Sequence, residues 1–373
     1  MAGVTDRPAA ARLLSLDAFR GLTIAAMILV NDPGDWGHVY WPLLHVPWNG
    51  WTPTDLIFPF FLFMVGMSLT FSRRLELRPA LVRALKLIGL GLLLNLYPYF
   101  PIATLRWPGV LQRIGICYLA AWAAKRWLRP RGQVALVAVL LVGYWAVMTR
   151  VPGPEGHPPN LEMQTNLSAQ VDRILLVPHV WSQTKTWDPE GVLSTLPAIA
   201  TTVLGLLAGL WVRSGRRPFA ITLGLLLGGL ALTALGVLWG EAAPPWLLFP
   251  INKNIWTSSF VLLTGGLGAS LFGLTYWVVD VAGCKRWAAP FVTYGKNAIA
   301  VYVGAGFLAD TLLAIKWAGA DGVARSVWQR LYQALYASWL PAYGASLAWA
   351  LTMVLFFYLV ALWMDRRGIY LKV

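Results

Sequence analysis

The residues best suited to chemistry lie between Ser15 and Gly66. His45 sits in a short aromatic loop, His45-Val46-Pro47-Trp48-Asn49-Gly50-Trp51, and Asp55 follows ten residues later. A carboxylate beside an imidazole fixes its tautomer and raises its basicity, so the pair can move protons near neutral pH. Asn31 and Asn49 are close by in sequence. Acid–base or acyl-transfer chemistry is what such a group supports. Asp55 also has a plainer reading, because Thr52, Pro53 and Asp55 form a capping box at a helix start. The two roles are compatible. His38, His157 and His179 have no comparable company and read as loop residues.

Two apolar helices must hold this loop, one over Leu14–Val30 and one introduced by Thr52-Pro53-Thr54-Asp55. They belong to a longer series. The 373 residues are 58% hydrophobic and 12% charged, whereas soluble domains run near a quarter charged. Stretches long enough to span a bilayer recur at 14–31, 53–72, 81–97, 108–124, 132–149, 191–212, 218–239, 256–279, 288–312 and 343–364. The expected fold is an all-α polytopic membrane protein of about ten transmembrane helices. It reads as one integral domain, 1–373, with outer loop insertions at 150–190 and 313–342. Long ordered loops are usually functional.

The net charge of +14 follows membrane sides. With the N-terminus placed in the cytoplasm, nineteen Lys and Arg fall on inner segments, among them Arg7, Arg12, Arg73, Arg74 and Lys372, against eight on outer ones. That is the positive-inside pattern, with both termini cytoplasmic and His45 near the outer face. The basicity is thus assigned to orientation and not to nucleic acid. Met1–Ala11 has no small-residue cleavage site after its apolar run, so the first span reads as retained. Cys117 and Cys284 fall on a span and an inner loop, and no spacing suits a metal site, a disulfide framework or an ATP-binding loop. No internal repeat stands out, which counts against an inverted-repeat transporter.

Ionisable groups inside spans are costly and each needs a reason. Asp17 and Arg20 share a helix face and either neutralise each other or leave Arg20 to hold an anionic ligand. Gln112-Arg113 in the fourth span and Lys296-Asn297 in the ninth are two further clusters. Three cations in separate spans suggest one shared anionic ligand, though any one of them taken alone reads more readily as structural than as a ligand contact. Asn252-Lys253-Asn254 before the eighth span and Asp188-Pro189-Glu190 before the sixth read as helix caps or as contacts to a hydroxyl-rich or cationic substrate.

The chain resembles the heparan-α-glucosaminide N-acetyltransferases and their bacterial relatives. The resemblance is carried by Ser15-Leu16-Asp17-Ala18-Phe19-Arg20-Gly21, Val30-Asn31, His45-Val46-Pro47-Trp48-Asn49-Gly50 and Thr54-Asp55-Leu56-Ile57-Phe58-Pro59. Further matches are Pro108–Gly115, Asp188–Gly191, Pro250–Trp256 and Tyr294–Ala298. It implies a bacterial inner-membrane enzyme that moves an acetyl group from cytoplasmic acetyl-CoA to the amine of a glucosamine-type sugar or glycan outside. The family's active-site histidine maps to His45, its asparagine to Asn31 and an acidic position to Asp55. Direct transfer with His45 as base and transfer through an acetyl-histidine both stay open, the first being preferred. Arg20, Gln112, Arg113, Lys296 and Asn297 are expected to hold coenzyme A, whose phosphates suit basic groups. Trp48, Asn49, Asp188, Glu190, Asn252, Lys253 and Asn254 are expected to hold the sugar. The lysosomal members imply a homodimer, and they carry an extra N-terminal lumenal domain and span not seen in these residues. Val46-Pro47 departs from their small residues and is expected to reshape the acceptor pocket. The rival expectation is a transporter of a sugar or sugar acid, using the same cations and outer acids without thioester chemistry.

Overall fold

The computed structural model describes residues 13–72, 76–319 and 321–371. Of the residues singled out above, Met1–Ala11, Arg12, Arg73, Arg74 and Lys372 lie outside them. The helices are α1 (Leu14–Asn31), α2 (Ile57–Phe71), α3 (Leu77–Leu96), α4 (Val110–Trp127), α5 (Pro130–Arg150), α6 (Leu167–Leu176) and α7 (Thr195–Val212). They continue as α8 (Pro218–Val237), α9 (Ser258–Tyr276), α10 (Ala289–Lys296), α11 (Ala298–Ala314), α12 (Val327–Tyr332) and α13 (Ala342–Arg366). A two-stranded antiparallel hairpin, β1 (Lys316–Ala318) with β2 (Ala324–Ser326), lies between α11 and α12.

Among the described residues, eight helices are long and apolar enough to cross a membrane, and a bent pair, α10 with α11, makes a ninth. In α4, Arg113, Lys125 and Arg126 lower the hydropathy, yet its Leu111, Cys117 and Ala121 are buried in the same core as the other helices. The protein is helical and multi-pass. One expected span is not straight: α10 and α11 meet at an angle of 79°. Asn297 leaves helical geometry at the junction, and its side chain bonds Ile369 O at 3.0 Å and accepts from Leu371 N at 3.2 Å. The bend thus exchanges helix continuity for a grip on the segment after α13.

The helices pack by close backbone approach at glycine. Lipid is as apolar as a leucine side chain, so association in a bilayer depends on tight van der Waals contact between small residues. In the pair α2–α7, a Cβ on Gly66 would collide with the Thr202 carbonyl, and one on Gly205 with the Phe63 carbonyl. Gly21 and Gly295 do the same between α1 and α10, against Phe291 and Asp17. Around these seams lies one large core that includes Phe19, Phe63, Met67, Val203, Phe260 and Phe272. A second core joins Ile24 and Ile28 of α1 to Val301, Trp349 and Phe357.

Candidate active site

The loop between α1 and α2 folds around Asp55. Thr52 begins a single turn, Pro53–Leu56, and its amide donates to Asp55 Oδ2 at 3.0 Å while its hydroxyl lies 3.1 Å from the same oxygen. The Val46 amide reaches Oδ2 at 3.3 Å. The other oxygen, Oδ1, stands 2.7 Å from His45 Nδ1. Asp55 is fully buried, whereas the His45 side chain is 48% exposed. An ionised carboxylate only accepts, so Nδ1 carries the proton and the Nε2 lone pair is left on the accessible ring. The capping box and the His–Asp contact are therefore one structure, in which the cap aims the carboxylate.

A second loop closes on the first. The Gly50 amide donates to Ile251 O at 2.7 Å, from a backbone with φ of 104° that suits glycine. Asn252 Nδ2 bonds Asn49 Oδ1 at 3.1 Å and Asn254 Nδ2 bonds Pro47 O at 3.2 Å. These stitches bring Lys253 Nζ to 2.9 Å from His45 Nδ1, 3.3 Å from Nε2 and 3.3 Å from Asp55 Oδ1. Burial lowers the Lys253 ammonium below its ordinary range, against the opposing pull of Asp55 and Glu190. Trp48 ties the same loop to the long insertion, through Nε1 to Leu161 O at 3.0 Å and an edge contact with Trp187 at 5.6 Å.

The insertion ends in a charged knot. Arg106 grips Asp188 with two bonds, at 2.8 and 2.6 Å, and Glu190 with a third at 2.5 Å. Burial works to raise Glu190, but Arg106, Arg113 and Lys253 outweigh it and hold its carboxyl below the usual range. Asp188 moves the other way, because burial exceeds the help from Arg106. Asp172 of α6 accepts from the amides of Val192 and Asp188 at 2.9 and 3.2 Å, and burial pushes its carboxyl up to about 6.

The expected coenzyme-binding residues divide between two places. Arg20 and Lys296 line a cavity of about 230 Å³, together with Ser68, Arg83, Tyr302 and Leu371. Arg20 bonds Ser68 Oγ at 2.9 Å and Asp17 Oδ1 at 3.2 Å. Lys296 is paired with Asp365 of α13 at 2.7 Å, a partner that sequence distance hides. Asn297 holds the chain end beside this cavity. Arg113 is elsewhere, fully buried, bonded to Ser194 Oγ at 2.5 Å and stacked 5.1 Å from the Trp256 ring. It supports the loop that carries Lys253. Gln112 is buried at Gly91 and Gly109, with Nε2 lacking a partner among the described residues. Tyr302, within electrostatic reach of Glu190 and Arg106, links the cavity to the charged knot.

Of the expected catalytic residues, His45 and Asp55 meet directly, while Asn31 stands exposed at the end of α1 without a side-chain hydrogen bond among the described residues. Asn49, Asn252 and Asn254 hold the two loops to each other, and Trp48 holds the insertion. The sequence reading passed over three residues: Arg106, counted only as an outer charge, and Asp172 and Tyr302. The run Asp188-Pro189-Glu190 was a signal for Arg106, because two acids so close need a buried cation. Nothing in the sequence pointed to the other two.

The family model described as heparan-alpha-glucosaminide N-acetyltransferase, catalytic, matches residues 12–224. Among curated proteins, the heparan-alpha-glucosaminide N-acetyltransferase of Mus musculus is 29% identical over 377 residues, covering 85% of this chain and 56% of the relative. The Homo sapiens protein of the same name is 28% identical over 358 residues, covering 79% and 52%. The chain spans about half the length of these curated relatives.

Proposed function

We propose a function from one premise: this chain belongs to the heparan-alpha-glucosaminide N-acetyltransferase catalytic family. It is an integral-membrane N-acetyltransferase that uses acetyl-CoA to acetylate the amine of a glucosamine-type sugar or glycan. The observation that carries this reading is the buried Asp55 carboxylate 2.7 Å from a half-exposed imidazole. An amine must lose a proton as it is acylated, and Nε2 of His45 is the base that faces the solvent side.

The residues of the cavity fit acetyl-CoA. Arg20, Arg83 and Lys296 are cations suited to its phosphates, and Ile24, Met64, Leu87 and Ile114 give apolar walls for a pantetheine arm. When bound, the donor supplies an activated acyl thioester. His45 takes the proton of the incoming amine; Asp55 holds its tautomer and stabilises the charged ring. The free amide of Asn31 can donate to the acyl oxygen. The charged knot of Arg106, Asp188 and Glu190 fixes the insertion that walls the acceptor side. The uneven spread of Lys and Arg supports a cytoplasmic donor and an acceptor on the outer face of a bacterial inner membrane, with both termini inside.

The test is acetyl-CoA turnover by purified protein in nanodiscs with glucosamine as acceptor, comparing wild type with His45→Ala. N-acetylglucosamine from the wild type, reduced about 10²- to 10⁴-fold in the variant, is expected for loss of a positioned base. Absence of product together with absence of coenzyme A binding would sink the transferase reading.

A further inference from the structure

The loop that carries His45 also forms one wall of an open polar cleft for which the chemistry above has no use. The cleft has a volume of about 470 Å³ and is lined by Gly34 and Asp35, just after α1, and by Arg325, Gln329, Tyr332 and Gln333 of the second insertion. Small-ligand sites run from about 300 to 1,000 Å³. The first wall is fixed to α13: the Gly34 amide donates to Ser346 O at 3.2 Å, the Asp35 amide to Ser346 Oγ at 3.1 Å, and that hydroxyl donates to Asp35 O at 3.0 Å. The second wall is anchored by the ring contact of Trp328 with Trp349 at 4.9 Å. The two walls meet where Gly34 lies against the Tyr332 ring, so closely that a Cβ would collide with it. Both walls are thus held by the protein itself, and such preorganisation lowers the ordering cost of binding.

The lining is matched to hydroxyl groups. Asp35 accepts, Arg325 donates, and the Gln329 and Gln333 side chains carry donors, with Gln329 Oε1 already taken by the Ser326 amide at 3.0 Å. The charges cancel: Arg325 is paired with Asp321 at 2.6 Å, and Asp35 faces His38 Nδ1 at 2.6 Å. One acid and one base leave no positive field to hold a polyanion. The cleft is also within reach of the chemistry. Gly34 follows Asn31 by three residues, so their Cα atoms are at most about 11 Å apart, three peptide units of 3.8 Å. We propose that this cleft is a glycan subsite: it binds the units that follow the acetylated sugar, and it makes the preferred acceptor an unsulfated, amine-bearing oligosaccharide instead of free glucosamine or a sulfated chain. The inference rests on the transferase reading above.

The experiment compares glucosamine with its unsulfated linear tetramer as acceptors for the purified full chain in nanodiscs with acetyl-CoA, reading kcat/KM per amine. The wild type should favour the tetramer by about tenfold or more, the worth of one or two hydrogen bonds, through a lower KM. Arg325→Gln combined with Gln333→Ala should bring the ratio close to one, and Gln333→Ala alone, at an exposed position, should lower it. The ratio is internal to each protein, so a general loss of activity or of folded yield does not mimic the result. A wild type that acetylates glucosamine and the tetramer equally well overturns the inference and leaves the transferase reading standing. A tetramer preference that the double variant keeps also overturns it, as does a higher kcat/KM for an N-desulfated heparin tetrasaccharide that retains its O-sulfates. If no acceptor is acetylated, the transferase reading has failed and the inference falls with it.

Discussion

Replacing Asp55 with asparagine keeps the shape of the side chain and moves one proton. Oδ2 of the wild-type carboxylate receives the Thr52 amide, the Thr52 hydroxyl and the Val46 amide, while Oδ1 faces His45. An asparagine oxygen must stay on the side of those donors, because turning the amide round would set its NH₂ against two backbone N–H groups. Its NH₂ then points at Nδ1 of His45, which has to accept, and the ring proton shifts to Nε2. The base disappears from the accessible face. A positioned general base is worth about 10²- to 10⁴-fold, and a triad histidine forced into the wrong tautomer in serine proteases loses about 10⁴-fold. The lost charge-assisted bond alone, about 1.5–3 kcal/mol, corresponds to about one to two decades at 1.4 kcal/mol each. The expectation is therefore a kcat lowered by about 10²- to 10⁴-fold, with acetyl-CoA affinity unchanged and a lowered Tm, because Lys253 loses the buried carboxylate 3.3 Å from its Nζ. Steady-state turnover with glucosamine, calorimetric titration of donor and thermal unfolding in detergent measure the three quantities. A folded Asp55→Asn protein with kcat within about threefold of wild type would refute the assignment of Nε2 as the base.

Three further outcomes are expected. Arg106→Gln leaves Asp188 and Glu190 as buried acids without their cation and should cost about 3–5 kcal/mol; a Tm close to wild type would contradict the knot's structural role. The Asp172 carboxyl titrates at about 6 in the folded chain against an ordinary value of 3.8, so the folded state binds the extra proton. Its penalty is absent below about pH 4, grows as pH rises and is complete above about pH 6, at about 3 kcal/mol. The Tm of Asp172→Asn relative to wild type should accordingly rise between pH 4 and pH 7, and a flat difference would refute it. Gly205→Ala places a methyl against the Phe63 carbonyl and should force α2 from α7, with a loss of about 1–3 kcal/mol or more, read as reduced folded yield on size exclusion.

The sequence alone determined the class of fold. Apolar length is local information, and a bilayer requires every backbone polar group to be satisfied within its own helix, so spans can be read one at a time. His45 and Asp55 were legible for the same reason, since ten residues and one capping turn separate them and local geometry brings them together. Family membership was likewise carried by short contiguous runs. The tertiary structure alone decided what crosses between distant segments. Lys253 reaches His45 only because the loop at 250–254 is stitched to the loop at 47–50. Lys296 finds Asp365 on the last helix, and Arg106 finds Asp188 and Glu190, because desolvated charges must pair with whatever the packing brings near. Arg113 meets Ser194 and Trp256 across the bundle, since which face of a helix meets which neighbour is set by glycine seams whose partners no single segment encodes.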